Sequence, residues 1–225
     1  RLQADGTRTV TRQLAEEAMQ RKSILYDKSG EEHYNLISAL HKSIRDSDAD
    51  ASVYWLARML EAGEDPLFVA RRLVRASTED VGLADPDALR VALAARDAVH
   101  FLGMPEGALA LAEAAIYLAI APKSNALYTA YAAAARDVAE RPNEPPPKAI
   151  LNAPTTLMKA EGYGAGYVYA HDTAEGTAGL TCLPDAVAGR RYYAPKGAGR
   201  EADIRRRLDE LRALREKLAK ERKRT

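Results

Sequence analysis

One cysteine, one tryptophan and two phenylalanines in 225 residues exclude several classes of protein. The lone Cys182 rules out an internal disulfide framework and any zinc site built on cysteines. No apolar run reaches the roughly 18 residues that a membrane-spanning helix needs. The dipeptide Gly-Lys occurs nowhere, which removes the phosphate loop G-x-x-x-x-G-K-[ST], whose backbone amides and lysine cradle a nucleotide. No serine or cysteine carries a nucleophile signature. A formal charge of +1 gives no overall attraction to nucleic acid or membrane. The start, Arg1 to Gly6, has neither an initiator Met nor the apolar core of a signal peptide. It is expected to belong to a piece of a longer cytoplasmic protein.

What is present is a 47% hydrophobic, 29% charged chain, the balance of a soluble globular protein. Its apolar residues recur at helical spacing. Leu67, Ala70, Leu73, Val74 and Ser77 form one stripe that ends at a corner, Glu79-Asp80-Val81-Gly82-Leu83-Ala84-Asp85-Pro86. Gly82, without a Cβ, is expected to take the left-handed conformation that closes a helix. Asp85-Pro86 opens the next helix, and Asp65-Pro66 opens the one before: a side-chain oxygen for the free amides, then a ring that fixes φ. Further helices are expected from about 31 to 45, from Asp48 or Asp50 to Gly63, from Pro86 to Gly103, from Pro105 to Pro122, and from Asn125 to Val138 under a Ser124 cap.

About six helices with short connections point to an all-α, multi-helix bundle. The expected divisions are a short N-terminal piece (1–25), a helical domain (26–140), an extended Pro/Gly/Tyr-rich segment that docks on that domain (141–199), and a basic C-terminal helix (200–225). Arg141 to Pro147 is a stiff extended connection, because its prolines lack amide donors. The run Gly162-Tyr163-Gly164-Ala165-Gly166-Tyr167-Val168-Tyr169-Ala170-His171-Asp172 reads as irregular, with its rings laid onto the helices. From Arg200 to Thr225 eleven Lys/Arg face six Asp/Glu, a local excess of +5.

Three kinds of site are open on these residues. Gly162, Gly164 and Gly166 have the wrong spacing for a dinucleotide fingerprint and follow a helix rather than a strand. His171-Asp172 resembles half of a hydrolase metal pair, which would need further ligands from His33, His41 or His100. Arg71, Arg72 and Arg75 could meet phosphates or form a solvated face, with Arg75 pairing to Glu79 four residues on. In the last helix Lys217, Lys220, Arg222, Lys223 and Arg224 could track a nucleic-acid backbone or flank a partner helix. Tyr54, Trp55, Tyr128 and Tyr131 are candidate contacts between copies, since aromatic rings supply large buried area; helical spacing alone leaves core and interface both open for them.

Several blocks together resemble the C-terminal half of the replication-associated recombination protein A family, bacterial AAA+ ATPases related to clamp loaders and to the Werner-helicase-interacting protein. They are Asp27–Ser43, Tyr54–Leu60, Arg71–Pro86, Ala121–Ala126, Gly162–Asp172 and Arg190–Pro195, in family order. Gly176–Gly179 and Ala132–Ala135 are less typical. The resemblance implies that residues 1–25 end an AAA+ lid subdomain and that the remainder is a collar-like helical region, as in clamp loaders, assembling a homotetramer. The parent would be a DNA-dependent ATPase acting at stalled forks, cytoplasmic and nucleoid-associated, with DNA ends, single-stranded DNA and single-stranded-DNA-binding protein as partners. ATP and magnesium would bind upstream of Arg1, so no catalytic, cofactor or metal residue is carried over to this chain. Two other readings stay open: a stand-alone helical scaffold that binds partner proteins, and a metal-dependent hydrolase using His171 and Asp172.

Overall fold

A computed structural model describes residues 11–13 and 31–222. Most of the short N-terminal piece (1–25), together with Lys223 and Arg224, lies outside the described residues. Eight α-helices and no strand occur among those that are described: the chain is all-α. It divides into two compact units, one ending at Lys123 and the next beginning at Ser124. The last bundle helix therefore groups with the C-terminal segment, whereas the sequence reading drew its boundary near 140.

The first unit holds α1 (Glu31–Arg45), α2 (Ala49–Glu61), α3 (Pro66–Ala76), α4 (Asp87–Leu102) and α5 (Ala108–Ile120). Their starts follow the expected grammar. Asp48 accepts the Ala51 amide at 2.8 Å, Asp65 the Leu67 amide at 2.9 Å and Asp85 the Asp87 amide at 3.1 Å, each satisfying a donor that the first turn leaves free. The inward stripes give a core of Leu40, Ile44, Leu56, Met59, Val69, Leu73, Leu111 and Leu118, all essentially inaccessible. Trp55 packs partly buried against it.

The corner differs from expectation in its winding. The α-helical part of α3 stops at Ala76, and Ser77–Val81 continue as a π-helical turn before a 3-10 turn at Gly82–Ala84. The hydroxyls of Ser77 and Thr78 donate to the carbonyls of Val74 and Arg75 at 2.8 and 3.0 Å, a competition that widens a helix end. Gly82 has φ 56 and ψ −133, a positive-φ conformation outside the left-handed helical well and open to glycine alone. The wider turn carries Asp80 inward.

The second unit holds α6 (Ala126–Glu140), a five-residue α7 (Thr156–Ala160), three 3-10 turns and the 22-residue α8 (Glu201–Arg222). Two buried carboxylates organise it. Glu201, fully buried at the start of α8, accepts the Ser124 hydroxyl at 2.8 Å, the Tyr193 hydroxyl at 2.9 Å and the Lys196 amide at 2.7 Å. Asp137 of α6 accepts the Tyr192 hydroxyl at 2.9 Å and faces the Arg190 guanidinium at 3.3 Å. The Gly/Tyr-rich segment is held to α8 by its backbone: Arg222 donates to the carbonyls of Gly166 and Ala178, and Arg215 donates to that of Leu180 at 2.8 Å. Tyr167 and Tyr169 of this segment are about half exposed.

Candidate functional site

The basic residues of α3 are committed to neighbours. Arg72 donates from Nε to His41 Nε2 at 3.2 Å. Arg75 is paired with Glu79 at 2.6 Å, the i,i+4 partnership expected of it. Arg71 lies over the Phe68 ring at 5.1 Å, a cation–π arrangement. Beside them Arg45 grips Asp80 with two hydrogen bonds, at 2.7 and 3.4 Å. This polar cluster pins α1 to the corner. His41 is buried in it, and burial, then the neighbouring Arg72 charge, lowers its pKa from 6.5 to about 4. It is held neutral as an acceptor. Sequence reasoning missed this pairing; the one available signal was that Arg72 falls a residue off the outermost face of α3.

The aromatic candidates divide. Tyr54 is exposed and meets the edge of the half-buried Trp55 ring at 5.0 Å, with the Arg58 guanidinium 5.8 Å from that ring. Tyr128 and Tyr131 are exposed on α6, accompanied by exposed Leu127 and Val138. Of the terminal-helix candidates, Lys217 is 4.0 Å from Glu221, Lys220 projects into solvent, and Arg222 holds the Gly/Tyr-rich segment as described.

His171 and Asp172 sit on an exposed 3-10 turn, with the His171 ring 5.0 Å from that of Tyr169. His33 faces Glu64 at 2.6 Å, and His41 faces arginine. Among the described residues no three His, Cys, Asp or Glu side chains converge as a metal site, so the ligands that the hydrolase reading needs are not brought together there. No helix among them is long and apolar enough to cross a membrane.

Comparison with known proteins places these features in a family. Residues 46–212 match the family described as MgsA AAA+ ATPase C terminal, and residues 1–45 match the AAA C-terminal domain. Among curated relatives, the replication-associated recombination protein A of Coxiella burnetii is 51% identical over 192 residues, covering 85% of this chain and 44% of the relative. Its namesake in Escherichia coli K12 is 48% identical over 204 residues, covering 90% and 46%. The ATPase WRNIP1 of Dictyostelium discoideum is 46% identical over 181 residues, covering 79% and 20%. The chain thus spans a little under half the length of its bacterial relatives of that name.

Proposed function

The chain belongs to the MgsA AAA+ ATPase C-terminal family, and from that premise we propose that it is the assembly and DNA-transaction module of a DNA-dependent AAA+ ATPase. The parent works in replication-fork maintenance, recombination and repair, cytoplasmic and associated with the nucleoid. ATP and magnesium belong to an upstream core, and this chain is non-catalytic by itself. Its first partner is a copy of itself, in a homotetramer. DNA ends, single-stranded DNA and single-stranded-DNA-binding protein are the others.

The observation that carries the reading is the amount of large apolar and aromatic surface outside the packing of either unit. Tyr131 is 76% exposed, and Tyr54, Tyr128 and Val138 are exposed with it. Tyrosines are preferred where proteins meet. The excess of +5 over residues 200–225 supports DNA contact along α8.

The test is the absolute solution mass of the 225-residue chain over a concentration series. A tetramer is expected. A monomer at every concentration would move assembly upstream and favour the scaffold reading. Capture of single-stranded-DNA-binding protein by the immobilised tetramer tests the protein partner.

A further inference from the structure

Within the second unit, the Gly/Tyr-rich segment and α8 enclose a pocket of about 460 Å³. Its wall is mostly aliphatic, built from Ile150, Val168 and Leu180 beside the Tyr167 ring. Among the described residues, Arg215 is the one charged side chain that lines it. An apolar hollow of a few hundred Å³ with a single convergent polar group is the usual form of a ligand site.

The guanidinium is fixed there by a neutral group. Arg215 donates from Nη2 to the Leu180 carbonyl at 2.8 Å, and the Cys182 thiol approaches the same carbonyl at 3.6 Å. The residues one turn away from Arg215 on α8, Leu211, Arg212, Leu218 and Ala219, include no acid, so the charge is uncancelled and the rest of the donor fork is open to a ligand. Arg222, two turns further along, donates to the carbonyl of Ala178, another lining residue, and to that of Gly166. Two positioned cations thus border one apolar hollow.

We infer that this pocket takes the C-terminal end of a partner protein. A bulky apolar last side chain lies against Val168, Leu180 and the Tyr167 ring, its free α-carboxylate meets Arg215, and acidic residues just before it meet Arg222. The inference goes beyond the assembly and DNA readings and depends on neither. Charge complementarity names the occupant: aliphatic walls with a cation at one side call for an apolar body that carries an anion at one end. A guanidinium holds a carboxylate by two parallel hydrogen bonds, and the contact strengthens where water is partly excluded. Capture of a chain end through its carboxylate is a recurring mode of peptide recognition. A nucleic-acid base fits this wall less well. Its polar edges would be buried against aliphatic side chains without partners, at a cost, and single strands are bound on successive aromatic platforms, whereas one ring lines this pocket.

The test uses the 225-residue chain and three probes: a fluorescein-labelled peptide, Asp-Asp-Asp-Gly-Phe, with a free C-terminal carboxylate, the same peptide as its C-terminal amide, and oligothymidylate. Cys182 is the only cysteine in the chain, is exposed and lines the pocket, so its rate of reaction with a maleimide reports occupancy. The free-acid peptide is expected to bind saturably and to slow that reaction in step with the fraction bound. The amide is expected to bind roughly 10–100-fold more weakly, the worth of hydrogen bonds to a charged group. Arg215→Gln is expected to weaken the acid by that factor and leave the amide unchanged, so that the two bind alike, an outcome that mere loosening of the segment would not give. Circular dichroism checks that this variant is folded. If it is not, Val168→Asp, which alters a part-exposed side chain and sets a charge in the wall, replaces it and is expected to weaken both peptides. Absence of saturable binding, equal affinity of the wild type for acid and amide, or protection of Cys182 by oligothymidylate but not by the acid peptide would each overturn the inference. None of these results bears on the mass of the chain, which decides the assembly reading separately.

Discussion

Acidifying the protein from pH 7 to pH 5 should cost stability through His41 alone, and the cost can be worked out. The imidazole is buried against Arg72 and Arg45, with Asp80 and Glu79 opposing them, and the balance lowers its pKa to about 4. In the unfolded chain the value returns to 6.5. As pH falls, the unfolded chain therefore takes up the proton first, and folding is opposed wherever it holds more protons than the folded state. The stability is whole above about pH 6.5 and drains away towards pH 4. Integrated over that span the loss is about 3 kcal/mol, of which about 2 falls between pH 7 and pH 5. His41→Gln keeps an acceptor for the Arg72 Nε–H and cannot titrate. Urea unfolding of wild type and variant at pH 7, 6 and 5 isolates the effect, because every other titrating group is common to both. The wild type should lose about 2 kcal/mol more than the variant between pH 7 and pH 5. Equal losses, to within about 0.5 kcal/mol, would show that His41 is hydrated and that the cluster around it is loose.

Ser47 closes α1 with φ 63, a left-handed position that costs most side chains energy; Ser47→Val should destabilise by about 1–2 kcal/mol, whereas Ser47→Gly should hold or raise the melting temperature. A Cβ on Gly179 would stand 2.8 Å from Leu218 Cβ and 2.9 Å from the Arg215 carbonyl, at φ +64. Gly179→Ala should therefore loosen the Gly/Tyr-rich segment from α8 at a cost of about 1–3 kcal/mol, read as faster amide exchange confined to that segment. Glu201→Leu strands two hydroxyls and an amide that now share one buried carboxylate, and should lower stability by about 3 kcal/mol or more. The milder Glu201→Gln can be followed at Tyr193, whose hydroxyl burial and then the Glu201 hydrogen bond push up to about 12; its phenolate absorbance should appear at lower pH in the variant.

Signals that act locally were legible in the chain, and those that act at a distance were not. Asp48, Asp65 and Asp85 cap where their residue types and neighbours predict, because a cap is made within three residues. Ser124 caps too, its Oγ 3.2 Å from the Ala126 amide, but the same hydroxyl also serves Glu201 77 residues away, and no spacing announces that partnership. Asp137 is a similar case: on sequence it is one polar residue in the alanine-rich α6, and only the fold brings Arg190 and Tyr192 to it. The π-helical turn escaped notice because Ser77 and Thr78 fit a continuing α-helix as well as one they widen. The exposed apolar residues of α5, Leu109, Ile116 and Ile120, escaped for another reason. Periodicity finds an apolar face by its contrast with a polar one, and a helix that is apolar on both faces has no contrast to find.

The distribution of charge separates the two basic regions offered for DNA. On α8 the acids are engaged by the chain itself: Asp203 with Arg206, Asp209 with Arg212, Glu210 with Arg207, Glu216 with Arg191, Glu221 with Lys217, and Glu201 buried. Arg205, Arg215 and Arg222 spend their hydrogen bonds on carbonyls, which are neutral, so their charges remain uncancelled and are fixed in position; Lys220 adds another. On α3, Arg75 is cancelled by Glu79 and Arg72 is turned to His41, leaving Arg71 over its ring. Phosphate contact by this chain should accordingly follow α8. For single-stranded DNA each phosphate neutralised adds about 0.7 to the slope of log K against log salt. Lys220→Ala should reduce that slope by about 0.7, measured by fluorescence anisotropy between low and moderate salt. Arg71→Ala/Arg75→Ala should reduce it by less than half as much. If the α3 variant abolishes binding while the α8 variant leaves the slope intact, the cations that matter are those already paired in the folded chain. Breaking the Arg75–Glu79 pair would then be part of binding.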